Sequence, residues 1–223
     1  MRWPERASPI LAVLCLMSLI LVNGRPYFTN ASRPPRGILD PHVALQMARS
    51  VQEVDAILSD APSPDREAMR VKQYIDFAFI ATYAGLFVVI SWALARMNRW
   101  GWLIGIFSVL AAFHDVKENL DILGILDRPL NGTTQGMISH LHLMSVGKWG
   151  FAAAAIMALG VFAWRSRRWY LKLIAGVDLA AAALILGGLV DNAWLVWAGL
   201  ALAAGAIGNA VTLKFLVADI ASR

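Results

Sequence analysis

The sequence predicts an all-α protein: a polytopic membrane bundle of about six transmembrane helices, with one amphipathic helix on its outer side. Three observations predict it. Of the 223 residues, 58% are hydrophobic and only 16% charged, where soluble domains carry about a quarter charged; mean hydropathy is +0.58. The apolar residues come in runs near the ~20 that a bilayer crossing needs. The lysines and arginines of the short loops fall on alternate turns, as orientation by positive charge requires.

The elements follow in order. Ile10–Val22 is apolar behind Arg2 and Arg6. It is long enough for a signal-peptide core, but Val22-Asn23-Gly24-Arg25 offers no small-x-small cleavage site and Val13-Leu14-Cys15 is a poor lipobox. Residues 1–23 therefore read as an uncleaved signal anchor. Gly24–Gly37, rich in Pro, Arg, Asn and Ser, reads as extended loop. Asp40-Pro41 gives an N-cap followed by proline at the first helical position. Val43, Met47, Val51, Val54 and Leu58 then recur on one face, predicting an amphipathic helix over 41–58. Ser50-x-x-Glu53 is a second capping box that would split it in two. This stretch is too polar to cross; it is either a packing helix or a lid. Residues 24–71 form the extracytoplasmic segment and 72–223 a five-helix bundle.

Ser63-Pro64 starts the next helix, which runs to about Ala95; its first two turns read as wet and the span proper begins near Gln73. Further spans run from Gly101 to about Ile125, from His142 to Trp164, from Leu173 to Val190 and from Ala193 to about Val217. Asp127-Arg128-Pro129, Asn131-Gly132 and Asp191-Asn192 are turn formers between them. Arg2/Arg6, Arg96/Arg99, Arg165/Arg167/Arg168/Lys172 and Lys214/Arg223 share one side. Both termini are thus expected in the cytoplasm of a cell membrane, in a bacterial inner membrane given the source that this chain suggests. Asn30-Ala31-Ser32 and Asn131-Gly132-Thr133 are glycosylation sequons on the other side, without meaning in a bacterium.

One polar stretch interrupts this apolar chain: His114-Asp115-Val116-Lys117-Glu118-Asn119. Ionisable groups inside a span are expensive and point by default to a functional site. His114 lies 13 residues past Gly101, about 20 Å along a helix, so the stretch falls in the outer third of the membrane. Asp76 and Tyr83 on the second span and Lys148 on the fourth reach a similar depth. The candidate cluster is Asp76, Tyr83, His114, Asp115, Glu118, Asn119 and Lys148. Lys117 would snorkel outward. Lys148 is the natural counter-ion of Asp115 or Glu118, and three acids against one deep lysine leave room for a proton or cation. A second, inward layer of Asp178, Asn209 and Thr212 reads as interhelical hydrogen bonding, helped by the small residues Ala201, Gly205 and Gly208.

Several chemistries are disfavoured. No basic stripe with interleaved aromatics argues for nucleic acid. A single cysteine, Cys15, excludes an internal disulfide and any cysteine-based metal motif. His140-x-His142 is unspecific and no His-Glu-x-x-His exists, so no metal and no cofactor is expected. Ser108, Ser139 and Ser145 lie in no nucleophile motif. No proline interrupts a span after Lys72, which speaks against a broken-helix transporter.

The residues Asp76-Phe77-x-Phe79-Ile80-x-x-Tyr83, Asp115-x-x-Glu118-Asn119 and Lys148-Trp149, with Ala44-Leu45-Gln46-Met47-Ala48 before them, resemble a pattern met in small multi-pass bacterial membrane proteins of no assigned function. The resemblance covers about residues 40–165. It implies that the cluster is a common feature of such proteins, and it implies no activity.

The functional expectation is an integral membrane protein whose partner is the lipid bilayer. Its polar cluster is structural or binds a small ligand or cation. An embedded enzyme acting on a lipid-like substrate at the outer leaflet, with Asp115 or Glu118 as general base, stands second; a proton or small-solute transporter stands third. A lipid-accessible groove reaching the carboxylates would separate the second reading from simple interhelical glue. Oligomeric state and catalytic residues are not legible.

Overall fold

A computed structural model describes residues 3–24, 26, 28, 38, 40–59 and 63–222. The described residues are helical throughout, without strands, in eight α-helices: α1 (Trp3–Asn23), α2 (Pro41–Gln46), α3 (Val51–Leu58), α4 (Pro64–Ala95), α5 (Trp102–Leu126), α6 (Gln135–Trp164), α7 (Trp169–Val190) and α8 (Leu195–Ala221). Arg2, most of the Gly24–Gly37 loop, the first sequon and Arg223 lie outside the described residues. Five helices, α1, α4, α6, α7 and α8, are long and apolar enough to cross a membrane. The sixth long helix, α5, is the one that carries Asp115, Lys117, Glu118 and Asp121.

Local sequence sets the ends. Asp40 accepts from the amides of His42 and Val43 to start α2. Ser63 accepts from the Asp65 amide to start α4, with Pro64 at the first position. The stripe expected as one helix over 41–58 is two. Ser50 caps α3 by accepting from Glu53 N, and Glu53 Oε2 in return accepts from Arg49 N at 2.6 Å. That reciprocal cap ends one helix and begins another, and both halves still bury their apolar side. Helix α6 begins two turns earlier than expected, capped by Thr134.

Each long helix packs on the next in the chain, and α8 returns to α1, so α1, α4, α5, α6, α7 and α8 form a closed ring. One end of the ring carries Arg96, Arg99, Arg165, Arg167, Arg168 and Lys214, and we call it the arginine end. Towards it, Leu94, Ile104, Phe162, Leu171 and Leu213 form one core. At the opposite end α2 and α3 sit on the bundle. Leu45, Met47, Val54 and Leu58 are buried against Met69, Ile122, Ile125, Leu141 and Leu195. Burying each such side chain stabilises the docked position by ~1.5–3 kcal/mol.

Charged side chains tie this end together, and they correct one expectation. The first turns of α4 read as wet, yet Asp65, Arg66, Met69 and Lys72 are buried. The guanidinium of Arg66 donates to the carbonyls of Ser59, Ile125 and Arg128 at 3.1, 2.7 and 2.5 Å. It thereby closes the end of α5 and the turn after α3, where Ser59 stands at φ 57°. Lys72 Nζ donates to the carbonyls of Val22 and Gly24 at 2.6 and 2.8 Å. A lysine of α4 thus satisfies the open C-terminal carbonyls of α1, which a helix end leaves without intrahelical partners. At the other end of α1, Ser8 Oγ donates to Ala210 O of α8 at 3.1 Å.

Candidate functional site: a chamber with one charged wall

The ring is not filled. Its half nearer α2 encloses a cavity of about 340 Å³. Helices α1, α2, α4, α5, α6 and α8 all contribute to its wall. Most of that wall is apolar: Ala12, Leu16 and Leu19 from α1, Leu86 and Phe87 from α4, Ala152 and Ala155 from α6, and Leu200 to Ile207 from α8. Its charged groups are Asp76, Asp115 and Lys148, with Asp40 and His42 near the α2 end.

The charged wall is ordered by short contacts. Lys148 Nζ donates to Glu118 Oε1 at 2.6 Å and lies 3.1 Å from Asp115 Oδ1. The second contact is off hydrogen-bond direction, so Oδ1 of Asp115 gains charge attraction without a directed proton. Its other oxygen accepts from Tyr83 Oη at 3.1 Å. Asp76 Oδ2 accepts from Asn119 Nδ2 at 2.8 Å. These side chains come from α4, α5 and α6, and Asp115, Glu118 and Asn119 share one flank of α5 because their spacing of three and four residues places them there. Burying such a group of charges is tolerable only when each is paired or hydrogen-bonded. Three carboxylates share one ammonium here.

Six of the seven candidate residues therefore meet: Asp76, Tyr83, Asp115, Glu118, Asn119 and Lys148. His114 does not join them. It lies one turn from Glu118 on the flank facing α6, its Nδ1 2.8 Å from its own helix at Leu110 O, its ring against Phe113 and Phe151. Gly147 makes room for it, since a Cβ there would strike the imidazole. Lys117 is exposed on the far side of α5. His140 pairs with Asp121 at 2.6 Å near the α2 end. Among the described residues no group of three or more His, Cys, Asp or Glu is arranged to hold a metal ion.

The second polar layer also forms, with one member fewer. Asn209 Nδ2 donates to Asp178 Oδ2 at 2.8 Å and to Gly205 O at 2.8 Å. Thr212 instead donates to Gly208 O in its own helix at 2.7 Å. Asp178 is packed against Gly160 and Gly205, where an added Cβ on Gly205 would strike its carboxylate, and it does not line the chamber.

Several wall residues were not foreseen. Asp40 and His42 read only as a helix start, and Ser108 only as a serine without a motif. His42 sits at the α2 end with Nε2 3.4 Å from Gln46 Nε2, which donates to it when the ring carries its proton on Nδ1. Burial pushes the His42 imidazole down to about 4, against the pull of Asp40 beside it. Ser108 lies two turns from Asp115 and is buried on the cavity wall, its Oγ without a hydrogen-bond partner. Comparison with protein-family models, with curated proteins and with solved structures finds no match.

Proposed function

We propose that this chain is an integral membrane protein of six crossing helices that binds a small amphipathic molecule in its central chamber. The single observation that carries the binding reading is the cavity: Asp76, Tyr83, Asp115 and Lys148 reach it together, and the rest of its wall is apolar. Interhelical glue needs no void. A ligand site is concave, mostly apolar and furnished with a few convergent polar groups.

Several features support the membrane reading. Helix α5 carries too many charges to pass as a span by composition, but Asp115 and Glu118 turn into the ring and pair with Lys148. Intramembrane charges that survive do so by facing the bundle interior. The lipid-facing surface of the ring is apolar, with Val13, Met17, Ile106, Val109, Leu173 and Leu186 exposed. The arginine end is cytoplasmic by the positive-inside rule, which puts α2, α3 and the charged wall towards the outside and both termini inside. Helix α1 stays with the mature protein as its anchor, because its removal would strand Lys72 and take away one wall of the chamber. Reporter fusions after Arg99 and Arg168 report a cytoplasmic position and a fusion after Asn131 an external one; an external signal at Arg168 contradicts the six-span reading.

The embedded-enzyme alternative has one specific support: Asp115 lines the chamber and could serve there as a general base. A transporter finds none, since α4 to α8 run without the unwound breaks that such proteins place at their sites.

The binding reading is tested by filling the chamber. Gly199 lines it, and a Cβ there meets nothing within 4 Å. Gly199→Leu is therefore the variant expected to fill the space. Mass spectrometry of the wild-type protein purified in mild detergent should find a small amphiphile at near-stoichiometric amount, and Gly199→Leu should lose it. Equal recovery from both proteins contradicts the reading.

A further inference from the structure

We infer that the ligand of this chamber is a single-chain amine: an alkyl chain lying along the apolar wall, with an ammonium head at Asp76 and Asp115. The inference rests on the binding reading above and names the ligand class.

The head follows from the donors and acceptors. Each donor side chain of the charged wall is already engaged by a carboxylate: Asn119 by Asp76, Tyr83 by Asp115, and Lys148 by Glu118 with Asp115 3.1 Å away. The carboxylates keep further acceptor capacity. Asp76 accepts from Asn119 on one oxygen, Oδ2, its side chain lines the chamber, and Asp115 Oδ1 has no directed donor. Three carboxylates face one ammonium, so a second cation would bring the group closer to balance. An anionic or purely accepting head would meet the same oxygens with repulsion. Tyr83 and Phe79 stand on the same wall, 5.3 Å apart, and aromatic faces near a carboxylate attract an ammonium further. Independently, Ser108 points to a ligand. It is 2% exposed, lines the chamber and has no partner for its hydroxyl. A buried hydroxyl left unmatched is unfavourable, and a hydroxyl or amine on the ligand chain would satisfy it.

The chain follows from shape. The wall runs on α1 from Asn23 to Ala12 and on α4 from Asp76 to Phe87, twelve residues on each, whose ends lie about 16 Å apart along the helix axis. That is about half of a ~30 Å hydrocarbon core, the depth of one leaflet. At ~30 Å³ for each water-sized group, the volume holds about eleven such groups, one modest chain and no more. The way in is lateral. Helices α1 and α8 meet at the arginine end through Ser8 and Ala210. Towards the α2 end, Leu16 and Leu200 line the chamber while remaining 39% and 60% exposed. A chain can pass between them from the surrounding lipid with its head trailing to the carboxylates.

The test uses the full chain in phosphatidylcholine nanodiscs with three probes of equal length: dodecylamine, dodecanol and dodecanoate. The readout is the thermal unfolding midpoint against probe concentration. The amine should raise the midpoint at a concentration at least tenfold below that needed by the alcohol, and dodecanoate should not raise it. Asp76→Asn should remove the amine's advantage, Gly199→Leu should abolish the response, and Asp178→Asn should leave it intact. If amine and alcohol act equally in wild type, the chamber takes chains without regard to charge; the amine inference is then wrong and the binding reading stands. If no probe shifts the midpoint and Gly199→Leu changes nothing, both are wrong. Should Asp76→Asn fail to fold, the comparison of the three probes on wild type and Gly199→Leu decides alone.

Discussion

Two buried carboxylate layers sit in one bundle, and they differ in the lysine that one of them holds and in the space beside it. Asp178 is fully buried, accepts from Asn209, is packed against Gly160 and Gly205 and does not line the chamber. Asp76 and Asp115 are nearly as buried and also accept from neighbours, yet their side chains reach an enclosed space. Both join a carboxylate to an asparagine amide, Asn119 in one and Asn209 in the other. The void separates them, and with it the question of what else the carboxylates could hold. A closed polar layer fixes helix packing; an open one retains unused binding capacity.

The largest effect that sharpens this contrast is expected at Lys148. Removing one partner of a buried ion pair strands the other, typically at about 3–5 kcal/mol. Lys148→Met should therefore lower folded yield in detergent more than the triple variant Lys148→Met, Asp115→Asn, Glu118→Gln, which removes the stranded charges as well. Losses that simply add would mean that no pair operates there. Asn209→Ala, in the closed layer, removes only one donor and should cost about 1–3 kcal/mol, seen as a smaller fall in unfolding temperature.

A matched pair of glycines breaks the comparison more finely. In the closed layer Gly205→Ala drives a methyl into Asp178, an overpacking that costs about 1–3 kcal/mol. In the open layer Gly199→Leu adds a whole side chain and should leave the unfolding midpoint of the ligand-free protein unchanged or raised. If both variants destabilise equally, the chamber is not open space.

The smallest effect concerns pH at the α2 end of the chamber. His42 is held neutral in the fold, with its imidazole down to about 4 against about 6.5 in an unfolded chain. A depressed histidine binds more protons unfolded than folded between those values, so its contribution is complete above about pH 6.5 and is lost as pH falls towards 4. Asp40, Asp115, Lys148 and Lys72 act on the same ring, so the informative quantity is a difference. Wild type should lose more stability than His42→Gln between pH 6.5 and 4.5 in unfolding scans. Parallel profiles would show that His42 is not held neutral.

Much of this was legible in the sequence, and the reasons are local. Asp40-Pro41 and Ser63-Pro64 announce α2 and α4 because a cap followed by proline leaves few alternatives. Counting helical rise from Gly101 and from His142 brings Lys148 level with Asp115 and Glu118, and the two contacts at 2.6 and 3.1 Å follow. The same count pairs Asp178 with Asn209. His114 shares a helical face with Glu118 four residues on, which is why it belongs with the cluster by spacing, but its ring turns to Leu110 O of its own helix and to Phe113 and Phe151, contacts that spacing does not reveal. Thr212 could satisfy its hydroxyl within its own helix and did. The burial of Arg66 was hidden because its acceptors at Ser59, Ile125 and Arg128 are carbonyls, which carry no sequence signature. The chamber was hidden for a deeper reason. It is walled by α1, α2, α4, α5, α6 and α8 together, and nothing in any one of them alone encodes that space.

The most direct test of an open and a closed carboxylate layer is reaction with dicyclohexylcarbodiimide, an apolar reagent that modifies protonated carboxyl groups it can reach from lipid. The full chain in nanodiscs is treated at mildly acidic pH and the adducts are mapped by mass spectrometry. Asp76, or Asp115 beside it, should carry the adduct in wild type, with the yield falling in Gly199→Leu, while Asp178 stays unmodified in both. An adduct on Asp178 with none on Asp76 or Asp115 would contradict the account.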